Sequence, residues 1–224
     1  MRLAIFDCDG TLVDSQHAIV AAMTAGFAAE GLAAPDPALV RRVVGLPLVG
    51  AVAMLLPEAD PALHERVAEA YKAAFFQNRT SGRYLEPLYP GVREALDALE
   101  DAGVLLGIAT GKSRRGLVAI LEHHGLLDRF VTLQTSDLVA GKPNPDMVIH
   151  ALSEAGVERE AAVVIGDTTF DVLMARNARV RCVGVTWGYH EGAELVAAGA
   201  NCLVDSYAEV PSAVLGLMPS VATQ

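Results

Sequence analysis

The stretch that decides the fold is RLAIFDCDGT, residues 2–11, in which a short apolar run ends on two carboxylates. An apolar run bounded by a glycine turn predicts a strand buried inside an α/β sheet. Ligands of such sheets bind just beyond the carboxyl ends of the strands, which is where Asp7 and Asp9 fall. Two acids there repel each other unless a cation or a proton shares the site. We therefore predict a Mg²⁺ ion at this position, with Asp7 as a nucleophile; a plain turn at Asp9-Gly10 is the alternative that this stretch alone leaves open.

The composition narrows the class of protein and its partners. The 224 residues suit one large domain, or one domain that carries an insert. With 27 acidic and 17 basic residues the net charge is −10, which argues against nucleic acid or an anionic membrane as a partner. The three cysteines form no disulfide framework or CxxC metal pair, and no apolar stretch resembles a signal peptide or a membrane span. A reducing cytoplasm is the expected location.

Apolar spacing divides the chain into a helical block and an alternating block. From residue 15 to residue 84 the spacing is helical throughout, which predicts an inserted helical cap over the strand ends. Residues 1–14 and 85–224 are expected to form the catalytic core. There, strands alternate with helices, and the strands after the first are predicted at residues 104–109, 130–133, 162–165, 180–185 and 202–204. This alternation predicts a doubly wound parallel sheet, a Rossmann-like α/β fold with right-handed crossovers.

Four strand ends or helix starts carry polar residues that packing does not require. They are Asp7 with Asp9, Thr110 with Gly111, Lys142, and Asp167 with Asp171. Because the ends of parallel strands project on one edge of the sheet, we expect these residues to converge. Carboxylates, a hydroxyl, a backbone N–H and a lysine suit a dianionic phosphoryl group with Mg²⁺, which prefers oxygen ligands. Asp167 and Asp171 are four residues apart and are expected to share one helical face near the positive end of the helix.

Some residues near these motifs have plainer interpretations. The run Gly111-Lys112-Ser113 resembles the end of a phosphate-binding P-loop, but Leu106 stands where that motif requires glycine, so a P-loop is rejected. Lys112 is instead expected to be solvated, and Ser113 to be a helix N-cap. Arg42 is interpreted either as an exposed arginine of the cap or as a contact for a second anionic group of the substrate.

The order of the motifs resembles a known family. The segments DCDGT (7–11), IATG (108–111), Lys142-Pro143 and GDTTFD (166–171) are similar to the four motifs of the haloacid dehalogenase-like phosphohydrolases, and the helical insert resembles their C1-type cap. The segments YPGV (89–92), GKPNP (141–145) and TWGYH (186–190) resemble the phosphoglycolate phosphatase branch. The resemblance covers nearly the whole chain, and four motifs in the same order make it specific.

The resemblance implies a role for each site residue. Asp7 would attack phosphorus to give an aspartyl-phosphate, and Asp9 would act as general acid and then as general base. Mg²⁺ would be held by the carboxylates of Asp7 and Asp167 and by the backbone carbonyl of Asp9. Three groups would hold the phosphoryl oxygens, namely Thr110, the Gly111 N–H and Lys142. Two further residues, Thr11 and Asp171, would support the site without contacting the substrate.

The expected activity is therefore Mg²⁺-dependent hydrolysis of a small phosphorylated metabolite, with phosphoglycolate as the first compound to try. The dehalogenases of this superfamily lack an acid at the position of Asp9, so its presence favours phosphate chemistry. The alternatives are a sugar-phosphate or pyrophosphate phosphatase and a phosphosugar mutase resembling β-phosphoglucomutase. Leu48 stands where similar mutases and phosphonate hydrolases carry Arg or Lys, which weakens the mutase alternative. A different class is a binding module in which phosphorylation of Asp7 switches a partner surface.

Overall fold

The protein contains a six-stranded parallel sheet in the order β3-β2-β1-β4-β5-β6. The computed structural model describes residues 1–81 and 86–219. The strands are β1 (Arg2–Phe6), β2 (Val104–Thr110), β3 (Phe130–Thr135), β4 (Ala162–Gly166), β5 (Arg181–Val185) and β6 (Cys202–Val204). All neighbouring pairs are parallel, so the predicted doubly wound sheet is confirmed.

The first strand lies at the centre of the sheet because it is apolar on both faces. β1 pairs with β2 on one side and with β4 on the other. Ala4 and Phe6 pack into the apolar cluster on one face, and Leu3 and Ile5 pack into the cluster on the opposite face. The alternation of side chains along a strand thus accounts for the uninterrupted apolar run.

Helices cover both faces of the sheet. One face packs against α5 (Val92–Asp101), α6 (Arg114–His123) and α10 (Val210–Leu217). The other face packs against α7 (Asp146–Ala155), α8 (Thr169–Asn177) and α9 (Gly192–Ala198). With both faces covered, the carboxyl edge of the sheet is left for ligands.

Between β1 and α5 the described elements are four helices, joined by loops and two isolated bridges. The helices are α1 (Gln16–Ala29), α2 (Pro37–Arg42), α3 (Leu48–Leu55) and α4 (Pro61–Thr80). These helices surround an apolar cluster of their own, built on Ile19, Met23, Phe27, Val40, Val52, Val67 and Ala68. The predicted boundary at residues 84 and 85 lies outside the described residues, so the division into core and cap remains a prediction. None of the described helices combines the length and hydropathy needed to cross a bilayer.

Candidate active site

The polar residues predicted to converge come together at the carboxyl edge of the sheet. Asp7 and Asp9 follow β1, Thr110 ends β2, and Asp167 follows β4. Lys142 comes from the loop that joins β3 to α7. All five are buried, with at most 8% of each residue exposed. The site is therefore a buried polar cluster inside an apolar core.

Three carboxylates and one lysine form the centre of this cluster. Asp7, Asp167 and Asp171 each offer a carboxylate oxygen, and these three oxygens lie within 4.8 Å of one another. The Nζ of Lys142 lies 2.6 Å from Oδ1 of Asp7 and 2.6 Å from Oδ1 of Asp171. Asp7 Oδ2 has no hydrogen-bond partner within the described ranges. Clustered oxygen donors with more negative than positive charge fit a divalent cation such as Mg²⁺.

The pKa values of Asp7, Asp167 and Lys142 are all raised, for different reasons. Burial raises the pKa of Asp7 to about 7 although Lys142 lowers it, since Asp171 and Asp9 add to the increase. Burial and the neighbouring Asp7 raise the pKa of Asp167 well above its ordinary value. Burial disfavours the charge on Lys142, yet Asp171 and Asp7 raise its pKa overall, so Lys142 stays protonated. One positive charge thus faces three acids, and additional positive charge would favour the ionised forms of Asp7 and Asp167, whose pKa values are raised.

The carboxylate of Asp9 is held apart from the three clustered acids. Its Oδ1 accepts a hydrogen bond of 2.6 Å from the Oγ of Ser15, and it lies 3.0 Å from the Nζ of Lys112. Ser15 itself accepts or donates a bond of 3.2 Å with the hydroxyl of Tyr189. Asp7 and Asp9 also line the same cavity. The two acids therefore border one cavity although they pair with different lysines, Asp7 with Lys142 and Asp9 with Lys112.

Lys112 is buried, and the prediction that it would be solvated is wrong. Its Nζ lies between Asp9 and Glu86, 3.1 Å from Oε1 of Glu86, and 4.8 Å from the centre of the Phe75 ring. The cause is that α4 of the helical insert covers the turn after β2, which a local sequence pattern does not reveal. The prediction for Ser113 is confirmed, since its Oγ caps α6 through the N–H of Gly116.

Replacing Lys112 by Met is expected to lower the free energy of unfolding by about 3–5 kcal/mol, because two buried carboxylates lose a shared partner. Urea unfolding of the wild type and the variant measures the difference. Lys72→Met is the matched control, since Lys72 is exposed and its one ion pair among the described residues is with the exposed Glu69. It should change stability by less than about 1 kcal/mol. Equal effects of the two variants would contradict a buried ion pair at Lys112.

Hydrogen bonds from outside the cluster fix the orientation of Asp167. The Oγ1 of Thr11 donates to Oδ1 at 2.7 Å, and the backbone N–H of Tyr189 donates to Oδ2 at 2.9 Å. A Cβ at Gly188 would lie 2.1 Å from the Cβ of Asp167, so only glycine permits this approach. The sequence predicts a supporting role for Thr11, but the donation from the Tyr189 N–H, in the segment TWGYH (186–190), is not predicted from it.

Asp171 reaches the cluster by a different route from the one predicted. α8 begins at Thr169, so Asp167 precedes the helix and does not share a helical face with Asp171. Thr168 is the N-cap of a capping box, in which the N–H of Thr168 donates to Oδ2 of Asp171 at 3.1 Å and the N–H of Asp171 donates to Oγ1 of Thr168 at 3.4 Å. The Oγ1 of Thr168 also donates to Oδ2 of Asp171 at 2.7 Å. The other oxygen of Asp171 faces Lys142. The carboxylate is therefore held by both the helix start and the lysine.

Lys142 contacts acids of the cluster and does not line the cavity. It is 1% exposed and lies between Asp7 and Asp171. By contrast, Thr110 and Gly111 do line the cavity. A Cβ at Gly111 would lie 2.7 Å from the carbonyl oxygen of Gly45, so the loop before α3 covers this end of β2 closely. Thr110 and Gly111 therefore line the cavity, whereas Lys142 contacts Asp7 and is not a lining residue.

Arg42 is exposed, in agreement with the first of its two interpretations. It forms a bidentate ion pair with Glu194 of α9, with N–O distances of 2.6 and 2.7 Å. It is not among the residues that line the cavity. The pair joins the helical insert to the α/β part of the chain. The guanidinium of Arg42 is therefore occupied by Glu194.

The fold agrees with comparisons to known proteins. A family model described as haloacid dehalogenase-like hydrolase matches residues 4–185. The probable phosphatase IndB of Dickeya dadantii is 36% identical over 96% of this chain and 94% of its own length. A phosphoglycolate phosphatase of Agrobacterium fabrum is 34% identical over 95% of this chain and 91% of its own.

Solved structures give the same result. The crystal structure of a predicted phosphatase from Clostridium acetobutylicum aligns with a TM-score of 0.86 and 27% identity, covering 96% of this chain and 98% of that one. CbbY from Rhodobacter sphaeroides, solved with xylulose-1,5-bisphosphate, aligns with a TM-score of 0.77 and 26% identity over 93% of this chain and 96% of its own. This chain belongs to the haloacid dehalogenase-like hydrolases, and its relatives identify it as a phosphatase of that family.

Proposed function

We propose that this phosphatase hydrolyses the phosphomonoester of a small metabolite through an aspartyl-phosphate at Asp7, with Mg²⁺ as its cofactor. One observation carries the proposal: Asp7 lines the cavity and also belongs to the cluster of three buried carboxylates. Its Oδ2 has no hydrogen-bond partner in the described part of the chain. A carboxylate that lines a cavity and has an oxygen without a donor is suited to attack an electrophile.

The residues of the site can share the two steps of the reaction. An oxygen of Asp7 bonds to phosphorus, the ester P–O bond breaks, and Asp9 gives its proton to the departing oxygen. Water then attacks the phosphorus of the aspartyl-phosphate while Asp9 takes up a proton, which releases phosphate and restores the Asp7 carboxylate. Thr110 and the Gly111 N–H are proposed to bind phosphoryl oxygens, which the position of both residues on the cavity lining supports. Lys142 pairs with Oδ1 of the Asp7 carboxylate and is not a lining residue of the cavity.

Mg²⁺ is proposed to bind the carboxylates of Asp7 and Asp167 and the backbone carbonyl of Asp9. When bound, it supplies positive charge that offsets the negative charge of the phosphoryl oxygens. Thr11 keeps one oxygen of Asp167 in place, and Asp171 is proposed to act through Lys142. The fit rests on the oxygen donors and on the excess of buried negative charge.

Replacing Asp9 by Asn is expected to lower kcat by about 10²–10⁴-fold on alkyl phosphates, because an alkoxide leaves poorly without a proton. On 4-nitrophenyl phosphate, whose leaving group needs no proton, the first step should be affected much less. Stopped-flow release of nitrophenol separates this step from the later hydrolysis. Equal losses in the first step on both substrates would contradict the general-acid role of Asp9.

A panel of phosphorylated metabolites tests the substrate. Phosphoglycolate is measured first, because a relative with 34% identity is named for it. Sugar phosphates form the second group, since CbbY was solved with a sugar bisphosphate.

Closure of the helical insert, residues 15–84, over bound substrate is part of the proposal. We also propose a cytoplasmic location, which the three unpaired cysteines support.

Turnover distinguishes an enzyme from a phosphorylation switch. Wild-type protein with Mg²⁺ is expected to release phosphate continuously from at least one compound of the panel. The outcome that would contradict the proposal is a single stoichiometric and lasting phosphorylation of Asp7 without continued release. Intact mass after rapid quenching reads out the phosphorylated protein in both cases.

A further inference from the structure

We infer that the cavity beside Asp7 binds an apolar organic group, so that the substrate is a phosphomonoester with a bulky and largely apolar body. This inference rests on the proposed function and specifies the substrate class of the same site. It differs from the choice of phosphoglycolate, whose body is a two-carbon carboxylate. Three observations support it: the lining of the cavity, the placement of the cations around it, and its volume.

The cavity has an apolar wall that comes from the helical insert. The lining includes polar residues, among them Asp7, Asp9 and Thr110. The apolar wall consists of six lining residues of the insert, Ile19, Met23, Val40, Val43, Val44 and Phe75. Several of them also belong to the apolar cluster of the insert, so the wall is a continuation of that core. An apolar group placed there leaves water for an apolar environment.

The cations near the cavity are not arranged to bind a short carboxylate. Lys112 is paired with Asp9 and Glu86. Arg42 is paired with Glu194 and does not line the cavity. A carboxylate that contacted the apolar wall would carry an unpaired charge, which is costly.

Cations of the outer rim also have contacts of their own. Lys72 is exposed and pairs with Glu69, and Arg115 lies over the ring of Phe76. Arg79 reaches the carbonyl of Gly116 at 3.5 Å. These side chains are among the residues that line the cavity. Each would bind a carboxylate of the substrate only by sharing or giving up the contact that it already has.

The volume is too large for a two-carbon body. The cavity measures about 450 Å³, which is within the usual range of sites for drug-sized ligands. It corresponds to roughly 15 water molecules at their volume in the liquid. With a two-carbon body most of this space stays filled with water against an apolar wall, whereas a larger apolar body displaces that water.

A series of n-alkyl phosphates tests the inference with the wild-type enzyme and Mg²⁺. The alcohols from ethyl, butyl, hexyl and octyl phosphate leave with nearly equal ease, so differences in kcat/KM report on binding in the cavity. We expect kcat/KM to rise about fourfold per methylene until the cavity is full, which corresponds to the transfer free energy of a buried methylene. Hexyl phosphate should then exceed ethyl phosphate on the order of 10²-fold. It should also exceed the same chain ending in a carboxylate.

The wall itself is tested by a matched pair of isosteric variants. Val44→Thr places a hydroxyl in the wall and is expected to reduce the gain per methylene. Val131→Thr makes the same change at an exposed position of β3, away from the cavity, and should leave the series unchanged. A flat or falling series in the wild type, or a preference for the carboxylate chains, would overturn the inference while leaving the phosphatase function intact.

Binding of n-alkyl phosphonates keeps the inference testable if no phosphomonoester is hydrolysed. These analogues have the same chains but no ester bond to cleave. Calorimetry is expected to give a Kd that falls about fourfold per methylene. Absence of hydrolysis would refute the proposed function alone, and a Kd independent of chain length would refute the apolar site alone.

Discussion

Replacing Asp7 by Asn is expected to abolish phosphate release, lowering kcat by about 10⁴-fold or more, as for other enzymes that lose their nucleophile. The amide has nearly the shape of the carboxylate but cannot form the aspartyl-phosphate. Phosphate release under saturating Mg²⁺ measures the loss, and intact mass after acid quenching should detect a phosphorylated protein only in the wild type. Asp128→Asn is the matched control, because Asp128 is exposed and precedes β3 at the opposite edge of the sheet.

The same substitution should not weaken the fold in the absence of divalent cations. Burial raises the pKa of Asp7 to about 7, so folding disfavours its ionised form above that pH. The neutral amide avoids this cost, and we expect Asp7→Asn to melt at pH 8 no lower than the wild type. Inactivity combined with intact folding would then report on chemistry. Turnover within tenfold of the wild type would refute Asp7 as the nucleophile.

Much of the α/β core could be predicted from local sequence patterns. The run Leu3–Phe6 is apolar without alternation, and the structure places it at the centre of the sheet with both faces covered. Topology then requires Asp7, Thr110 and Asp167 to meet at one edge, because parallel strands all end on that side. The convergence of the site follows from strand order and direction, and both are consequences of the alternation of strands and helices.

The partners of the charged side chains could not be predicted in this way. Lys112 pairs with Glu86 because a helix of the insert covers the turn after β2, and Arg42 pairs with Glu194 across 152 residues of sequence. Such contacts depend on how the insert packs against the rest of the chain, and periodicity carries no information about that packing. The prediction that Asp167 and Asp171 share a helical face is wrong for a local reason. The helix begins at Thr169, two residues after Asp167, so Asp167 is not part of it.

Removal of divalent cations is expected to lower kcat by about 10³-fold, and addition of Mg²⁺ should restore it. The expected size corresponds to the several kcal/mol that a metal ion contributes to charge stabilisation. Asp167→Asn removes one clustered carboxylate and should raise the Mg²⁺ concentration needed for half-maximal activity. Full activity after exhaustive chelation, confirmed by elemental analysis of the protein, would contradict the metal site.

The stability of the protein should reveal the same site without any substrate. The pKa of Asp7 rises from 3.8 to about 7 on folding, so the folded state binds this proton more tightly than the unfolded state. Without metal, the contribution of Asp7 to stability is therefore lost as pH rises from about 4 to about 7. Mg²⁺ competes with the proton for the carboxylate, so it should raise Tm more at pH 8 than at pH 5.5. Asp7→Asn should reduce this difference, and an increase in Tm that is equal at both pH values would mean that Mg²⁺ binds elsewhere.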